Sequence, residues 1–255
     1  MAIQEHPYIA PAAAASERVA SAPYLENGRA VPVGHSWQWI VTGWRLFRRQ
    51  PVVWVLLSIV FGFIFFALGV VPVLGQVAVT LLLPVFGGGM MRACRRVESG
   101  EELELADLFW GFRHQRAPLF MVGAISFVLM LAMFTATMLL TGAGAALTQL
   151  AGGAPEAVVA ALVGLLVFFA LVIPIYMAMW FAPALIVFHD VAGARAMMQS
   201  FRGCLRNIVP FLFYGAILLV LGIFASIPFG LGWLVLGPVV VGSVYAGYRD
   251  IYGQR

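Results

Sequence analysis

The chain has 255 residues, 62% of them hydrophobic and 10% charged, against about 45–50% apolar and about 25% charged in a soluble domain. That composition excludes an ordinary soluble domain and points to a polytopic, all-α membrane protein. The formal net charge is +4 and every basic residue is arginine; because the arginines stand beside apolar runs, they read as orienting charges in a bilayer and not as a nucleic-acid surface.

Residues 1–35 carry Pro7, Pro11, Pro23 and Pro32 and show no periodic apolar face. They read as a disordered cytoplasmic tail. They lack the basic region and short apolar core of a secretory signal. From Ser36 the texture changes. Trp37, Ile40, Val41, Trp44 and Phe47 recur at helical spacing between Arg45, Arg48 and Arg49, as in an amphipathic helix lying in the headgroup region with its aromatic side down. Pro51 ends this helix and is well placed to open the next. Val52–Val71 is free of charge and matches the roughly 20 residues needed to cross a bilayer core of about 30 Å. A turn at Pro72–Gly75 leads into a returning span, Gln76–Met91, stopped by Arg92, Arg95 and Arg96.

Glu98–Asp107 is the one acidic cluster; its carboxylates have no calcium-loop spacing and are expected to pair with nearby arginines. Asp107 is a candidate N-cap for a second short amphipathic face, Leu108, Phe109 and Phe112, followed by Arg113 and Arg116. Pro118 opens a third span to about Leu140, and Thr141–Glu156 reads as a small-residue loop. Ala157–Phe188 is apolar throughout, too long for one upright crossing, and Pro174 and Pro183 predict tilt, a kink or a projecting end. Ala194, Met197, Met198, Phe201 and Leu205 form the expected third amphipathic face, with Arg195, Arg202 and Arg206 opposite. Pro210 opens a fifth span to about Ile227, and Trp233–Tyr248 returns as a sixth.

Every arginine falls on one side of this six-span scheme, which places both termini in the cytoplasm. The aromatic-basic segment, proline and apolar run occur three times, dividing residues 36–255 into hairpin repeats at about 36–98, 105–190 and 193–252. Each returning span has a proline before its cytoplasmic charges, Pro84, Pro183 and Pro238, so a kink is expected in each hairpin and a pseudo-threefold bundle overall. The glycines, Gly87–Gly89 among them, suit close helix packing.

No Asp, Glu, Arg or His lies within the spans as drawn, against a proton-coupled pump. No nucleophile–base pair or ligand cluster suggests catalysis, so neither an enzymatic activity nor a cofactor is expected. Cys94 and Cys204 have no metal or redox spacing and read as free thiols in a reducing compartment. Three stretches, Gly34–Pro51 (GHSWQWIVTGWRLFRRQP), Pro84–Met91 (PVFGGGMM) and Ser99–Arg113 (SGEELELADLFWGFR), resemble an uncharacterised family of bacterial integral-membrane proteins. The resemblance covers most of the chain after the tail. It implies an inner-membrane location and supplies no activity or site residue.

Two functions fit the residues. One is a non-catalytic membrane factor that binds a partner protein or organises anionic lipid through Arg45, Arg48, Arg49, Arg113, Arg116, Arg202 and Arg206. The alternative is a transporter or channel for an apolar or amphipathic solute, which predicts a cavity near Pro84, Pro183 and Pro238.

Overall fold

A computed structural model describes residues 24–151 and 154–253, giving the backbone alone for 140–151, 154–158, 160 and 161. The described residues form ten α-helices and one 3-10 turn, and no strand beyond the isolated bridge Tyr24–Gly253. Five stretches are long and apolar enough to cross a membrane: Pro51–Gly69 (α2), Leu74–Glu98 (α3), Arg116–Leu139, Leu162–His189 and Ile208–Ser226 (α9). The third lies within α5 (Arg116–Ala151); the fourth joins α6 (Ala154–Trp180) to α7 (Ala182–His189). The sixth expected span, α10 (Trp233–Tyr252), is not among them. Its Gly237, Gly242, Ser243, Gly247, Arg249 and Asp250 lower its hydropathy. Pro238, Val239, Gly242, Ser243, Tyr245 and Tyr248 are buried, so protein and not lipid covers much of its surface.

The expected loop at 141–156 is largely helix. Ala, Leu and Thr continue α5 to Ala151, and α6 begins one residue before Pro155, where a proline is tolerated in a first turn. Residues 1–23 of the expected tail lie outside the described residues. Residues 24–34 have fixed places: Leu25 N–H donates to the Tyr252 carbonyl and Arg29 N–H to that of Ile251, each at 2.9 Å, and Val31 N–H to Asn207 Oδ1 at 2.8 Å.

The short helices dock in a regular way. Helix α1 (His35–Arg49) packs on α10; the 3-10 turn Leu105–Phe109 and α4 (Trp110–Arg113) pack on α3; α8 (Gly193–Arg206) packs on α6 and α7. Helix α3 also touches α7 and α10.

The faces differ from those expected. In α1, Trp39, Ile40, Leu46 and Phe47 are buried, whereas Trp37 (57% exposed) and Trp44 (44%) point outward with Arg45 and Arg48. In α8, Met197 is buried, but Met198 and Leu205 are exposed and the buried face is built from Gly193, Ala196, Gln199, Ser200, Gly203 and Cys204. Helices that pack closely select small residues, because backbone atoms must approach. At the α1–α10 crossing a Cβ built on Gly43 would lie 2.7 Å from Ser243 N and on top of the Val239 carbonyl, and one on Gly242 would lie 2.8 Å from Gly43 Cα.

Pro84 and Pro238 lie inside continuous helices, whereas α6 breaks at Phe181 and Pro183 stands in the first turn of α7. The break frees backbone groups that a bilayer core cannot solvate. Ser200 on α8 satisfies two of them, accepting from Phe181 N–H at 2.9 Å and donating to the Met177 carbonyl at 2.7 Å. Replacing Ser200 with Ala leaves a buried N–H unpaired, and thermal unfolding in detergent is expected to show a loss of about 1–3 kcal/mol.

The acidic loop is held by Arg96, whose guanidinium meets Asp107 at 2.9 Å, Glu104 at 3.0 Å and Glu101 at 3.2 Å, the pairing expected from the sequence. Asp107 is not the N-cap. It sits three residues into the 3-10 turn, where its side chain accepts from Glu104 N–H at 3.0 Å in a capping box.

Candidate functional site

Pro84 of α3, Pro183 of α7 and Pro238 of α10 line one cavity of about 590 Å³. Helix α3 supplies Leu83, Pro84, Gly87, Met90 and Met91; α6 and α7 supply Tyr176, Met179, Trp180 and Pro183; α10 supplies Trp233, Pro238 and Val241; and α2 closes the side with Trp54, Ser58, Phe61 and Gly62. A volume of this size falls within the roughly 300–1,000 Å³ of small-molecule sites. No acidic or basic side chain is among its lining residues. The glycine triplet divides its roles: a Cβ on Gly89 would collide with the backbone of Asp107 and Leu108, at 2.5 Å from their carbonyl oxygens, while Gly87 borders the cavity. At Gly62 and Gly237 a Cβ would meet nothing within 4 Å. Tyr176 and Trp233 are about half exposed, at 50% and 49%. The Trp54 side chain is buried, and its Nε1–H has no hydrogen-bond acceptor among the described residues.

A second cavity, of about 410 Å³, lies where α1 meets α10 and the end of α3, and is polar, with Arg29, His35, Gln38, Glu98, Arg249 and Asp250 in its wall. Asp250 is the hub. Its carboxylate takes Arg29 at 3.0 Å, His35 Nδ1 at 2.6 Å and the Trp39 indole N–H at 3.1 Å, and its backbone carbonyl takes Arg29 Nε at 2.6 Å. Arg249 pairs with Glu98, which also accepts from the Tyr245 hydroxyl at 2.8 Å. The carboxylates are answered by fixed donors, so this cavity ties residues 29–39 to the end of α10.

The seven arginines singled out from the sequence divide into two sets. Arg49 donates to the Val97 and Glu98 carbonyls at 2.8 and 3.0 Å and so caps the C-terminal end of α3. Arg206 donates to the Gly28 carbonyl at 2.8 Å and Arg202 to Asn27 Oδ1 at 3.3 Å. Arg45 reaches Thr42 at 3.2 Å on its own helix. Arg48, Arg113 and Arg116 are exposed and have no acidic partner among the described residues. Sequence reasoning missed Asp250, Ser200 and Trp54. Asp250 stands in a stretch read as a simple membrane stop, and its partners are distant in the chain; Trp54 is one tryptophan in an apolar run.

Both cysteines are buried and free. Burial pushes the Cys204 thiol up to about 12, so little of it is the reactive thiolate near neutral pH. Membrane-permeant maleimide is expected to modify neither Cys94 nor Cys204 until the protein is unfolded, which intact-mass analysis would check.

Apolar helices of membrane length around a cavity that no acidic or basic side chain lines define the class, a helical integral-membrane protein. The chain is 30% identical over 254 residues to "Probable inner membrane protein BTH_II0599" of Burkholderia thailandensis, an alignment covering 85% of this chain and 90% of the relative. It belongs to that family of bacterial inner-membrane proteins. No family model matches the chain, and no solved structure matches it.

Proposed function

We propose that this protein is a non-catalytic lipid-handling protein of the inner membrane that holds an apolar or amphipathic solute of the bilayer in its central cavity. The observation that carries this reading is the meeting of Pro84, Pro183 and Pro238 around one apolar space. In this reading α10 is a sixth span sheltered by its neighbours, both termini are cytoplasmic, and the chain is three hairpins whose short helices each dock on the returning helix of the hairpin before, α1 on α10 completing the cycle. The order of helix contacts supports the repeat, and the confinement of all arginines to one set of connections supports the orientation. The outward faces that carry Trp37, Trp44, Arg45 and Arg48, and Leu105, Phe109, Arg113 and Arg116, suit the headgroup region, where arginine meets anionic lipid.

The test is gentle extraction followed by mass spectrometry of what is retained, for the natural protein and for Gly237→Leu. A Cβ at this lining position meets nothing within 4 Å, and the change replaces a helix-interior glycine, worth about 1 kcal/mol of added helix stability. The expected result is a retained apolar solute in the natural protein that is lost in a variant at least as stable. Equal retention in both would place the solute elsewhere, and a stoichiometric protein in place of the solute would make this an accessory subunit. Arg45→Gln with Arg48→Gln is expected to weaken adsorption of the solubilised protein to anionic vesicles and leave cavity retention unchanged. A C-terminal reporter active only in the periplasm would overturn the orientation.

A further inference from the structure

We infer that a phosphate group binds where the ends of α3 and α7 meet α4 and the start of α5, held by Arg92 and Arg95. This site lies outside the central cavity and does not depend on it. Other arginines are answered by acids: Arg96, beside the pair, holds three carboxylates, and Arg29, Arg195 and Arg249 each hold one. Arg92 and Arg95 have neither an ion pair nor a hydrogen bond among the described residues. Each guanidinium lies instead on an aromatic ring, Arg92 on Trp110 at 5.1 Å and Arg95 on Phe188 at 5.3 Å. The Arg92 Nε is turned into the protein, whereas its two terminal nitrogens are accessible and have no acceptor among the described residues. Those terminal nitrogens, and not Nε, are the donors on offer.

Packing puts both arginines at one junction. One turn before Arg92, a Cβ on Gly88 would lie 2.9 Å from Leu119 of α5 and 3.2 Å from Val187 of α7. Arg92 therefore stands over the point where α3, α5 and α7 touch, and Arg95, three residues on, stands beside it. Helix α5 begins at this level. The Arg116 and Ala117 N–H groups of its first turn have no acceptor among the described residues, and the positive end of a helix dipole favours an anion. Like charges this close on a helix repel, and a half-buried guanidinium without a counter-ion is costly. An anion relieves both, and the planar fork of arginine matches the oxygens of a phosphate. The acid of this face, Asp190, accepts from the Gln115 amide and pairs with neither arginine. Depth favours a phospholipid headgroup as the source. Leu74–Met91 carries no charge and spans about 27 Å at 1.5 Å per residue, close to the roughly 30 Å of a hydrocarbon core, so Arg92 stands where lipid phosphates begin. A soluble phosphate ester would offer the same oxygens.

The full-length protein, delipidated in a neutral detergent, is titrated with dioctanoyl phosphatidic acid, dioctanoylglycerol and inorganic phosphate, and native mass spectrometry counts what is bound. The expected result is one phosphatidic acid per chain, held about tenfold or more tightly than dioctanoylglycerol, the increment of one charge-assisted hydrogen bond. Beside two guanidiniums its second phosphate ionisation, at about pH 6 in a free ester, should move to lower pH in phosphorus NMR, a readout that lost packing would not mimic. Arg95→Gln, at an exposed position, is expected to fold normally, to weaken the lipid about tenfold and to return the ionisation toward its free value; Arg92→Gln should do the same to binding. Arg202→Gln removes an exposed charge from α8, and Gly237→Leu crowds the central cavity; both should bind phosphatidic acid as the natural protein does. Inorganic phosphate bound as tightly as the lipid would make a soluble phosphate ester the ligand of the same arginines. Equal affinity for phosphatidic acid and dioctanoylglycerol, or unchanged binding in both Arg92→Gln and Arg95→Gln, would overturn the site. Loss of phosphatidic acid in Gly237→Leu would place the lipid in the cavity and overturn it as well.

Discussion

Gly43→Leu is expected to prevent stable folding. The α1–α10 crossing is a backbone-to-backbone contact: a Cβ at Gly43 already meets the Val239 carbonyl and lies 2.7 Å from Ser243 N. Both obstacles are main chain and cannot rotate away. Overpacking a core usually costs about 1–3 kcal/mol where side chains can yield, so the loss here should exceed that range. Separating α1 from α10 would also pull apart the Asp250 cluster, because Trp39 and His35 ride on or at the start of α1. The measurement is the yield of monodisperse protein after extraction and its thermal midpoint. Gly34→Leu is the matched control: it sits just before the same helix, where a Cβ meets nothing within 4 Å, and should behave like the natural protein. If Gly43→Leu proved as stable as Gly34→Leu, the close crossing would be wrong.

Asp107→Ala should be the most damaging single change among the charged residues. The Asp107 side chain is 5% exposed, takes both bonds from Arg96 Nη1 at 2.9 Å and accepts from Glu104 N–H at 3.0 Å. Alanine strands a half-buried guanidinium and an N-terminal amide together. Breaking one side of a buried ion pair costs about 3–5 kcal/mol. The more exposed Glu101 and Glu104 remain beside Arg96, which puts the expectation at the lower end, about 3 kcal/mol. Asp107→Asn retains an acceptor for Glu104 and should recover part of the loss. Glu101→Ala, on an exposed carboxylate, is expected to shift stability by less than about 1 kcal/mol. Similar midpoints for the Asp107 and Glu101 variants would contradict this order.

Much of the architecture is legible in the residues. The apolar runs, the prolines that open helices and the three prolines that meet in the cavity are local signals read at their own positions. The faces of the short helices are less so. Trp37 and Trp39 are equally aromatic and two residues apart, hence on different sides of α1, and helical periodicity states that two sides exist without stating which one meets protein. In α8 the buried side is small and polar because Ser200 must serve the broken backbone near Phe181, a need created by a proline seventeen residues earlier (200 − 183). Helix α10 falls short of the hydropathy of the five apolar stretches, and protein covers much of its surface. Asp250 reads as a terminal charge, since Arg29 and His35 reach it across almost the whole chain. Of the candidate arginines, Arg49 and Arg206 donate to backbone carbonyls, because a guanidinium near the end of its helix finds such acceptors within reach.

The docking of α1 on α10 has a consequence for biosynthesis. Helix α1 leaves the ribosome well before α10, and its Trp39, Ile40 and Phe47 face is covered only once α10 is available. Throughout translation that face needs a temporary shelter, which the adjacent bilayer surface offers to an amphipathic segment. A ribosome stalled before Trp233 therefore leaves α1 without its partner. Quality-control proteolysis would then recognise unfinished molecules at their N-terminal end.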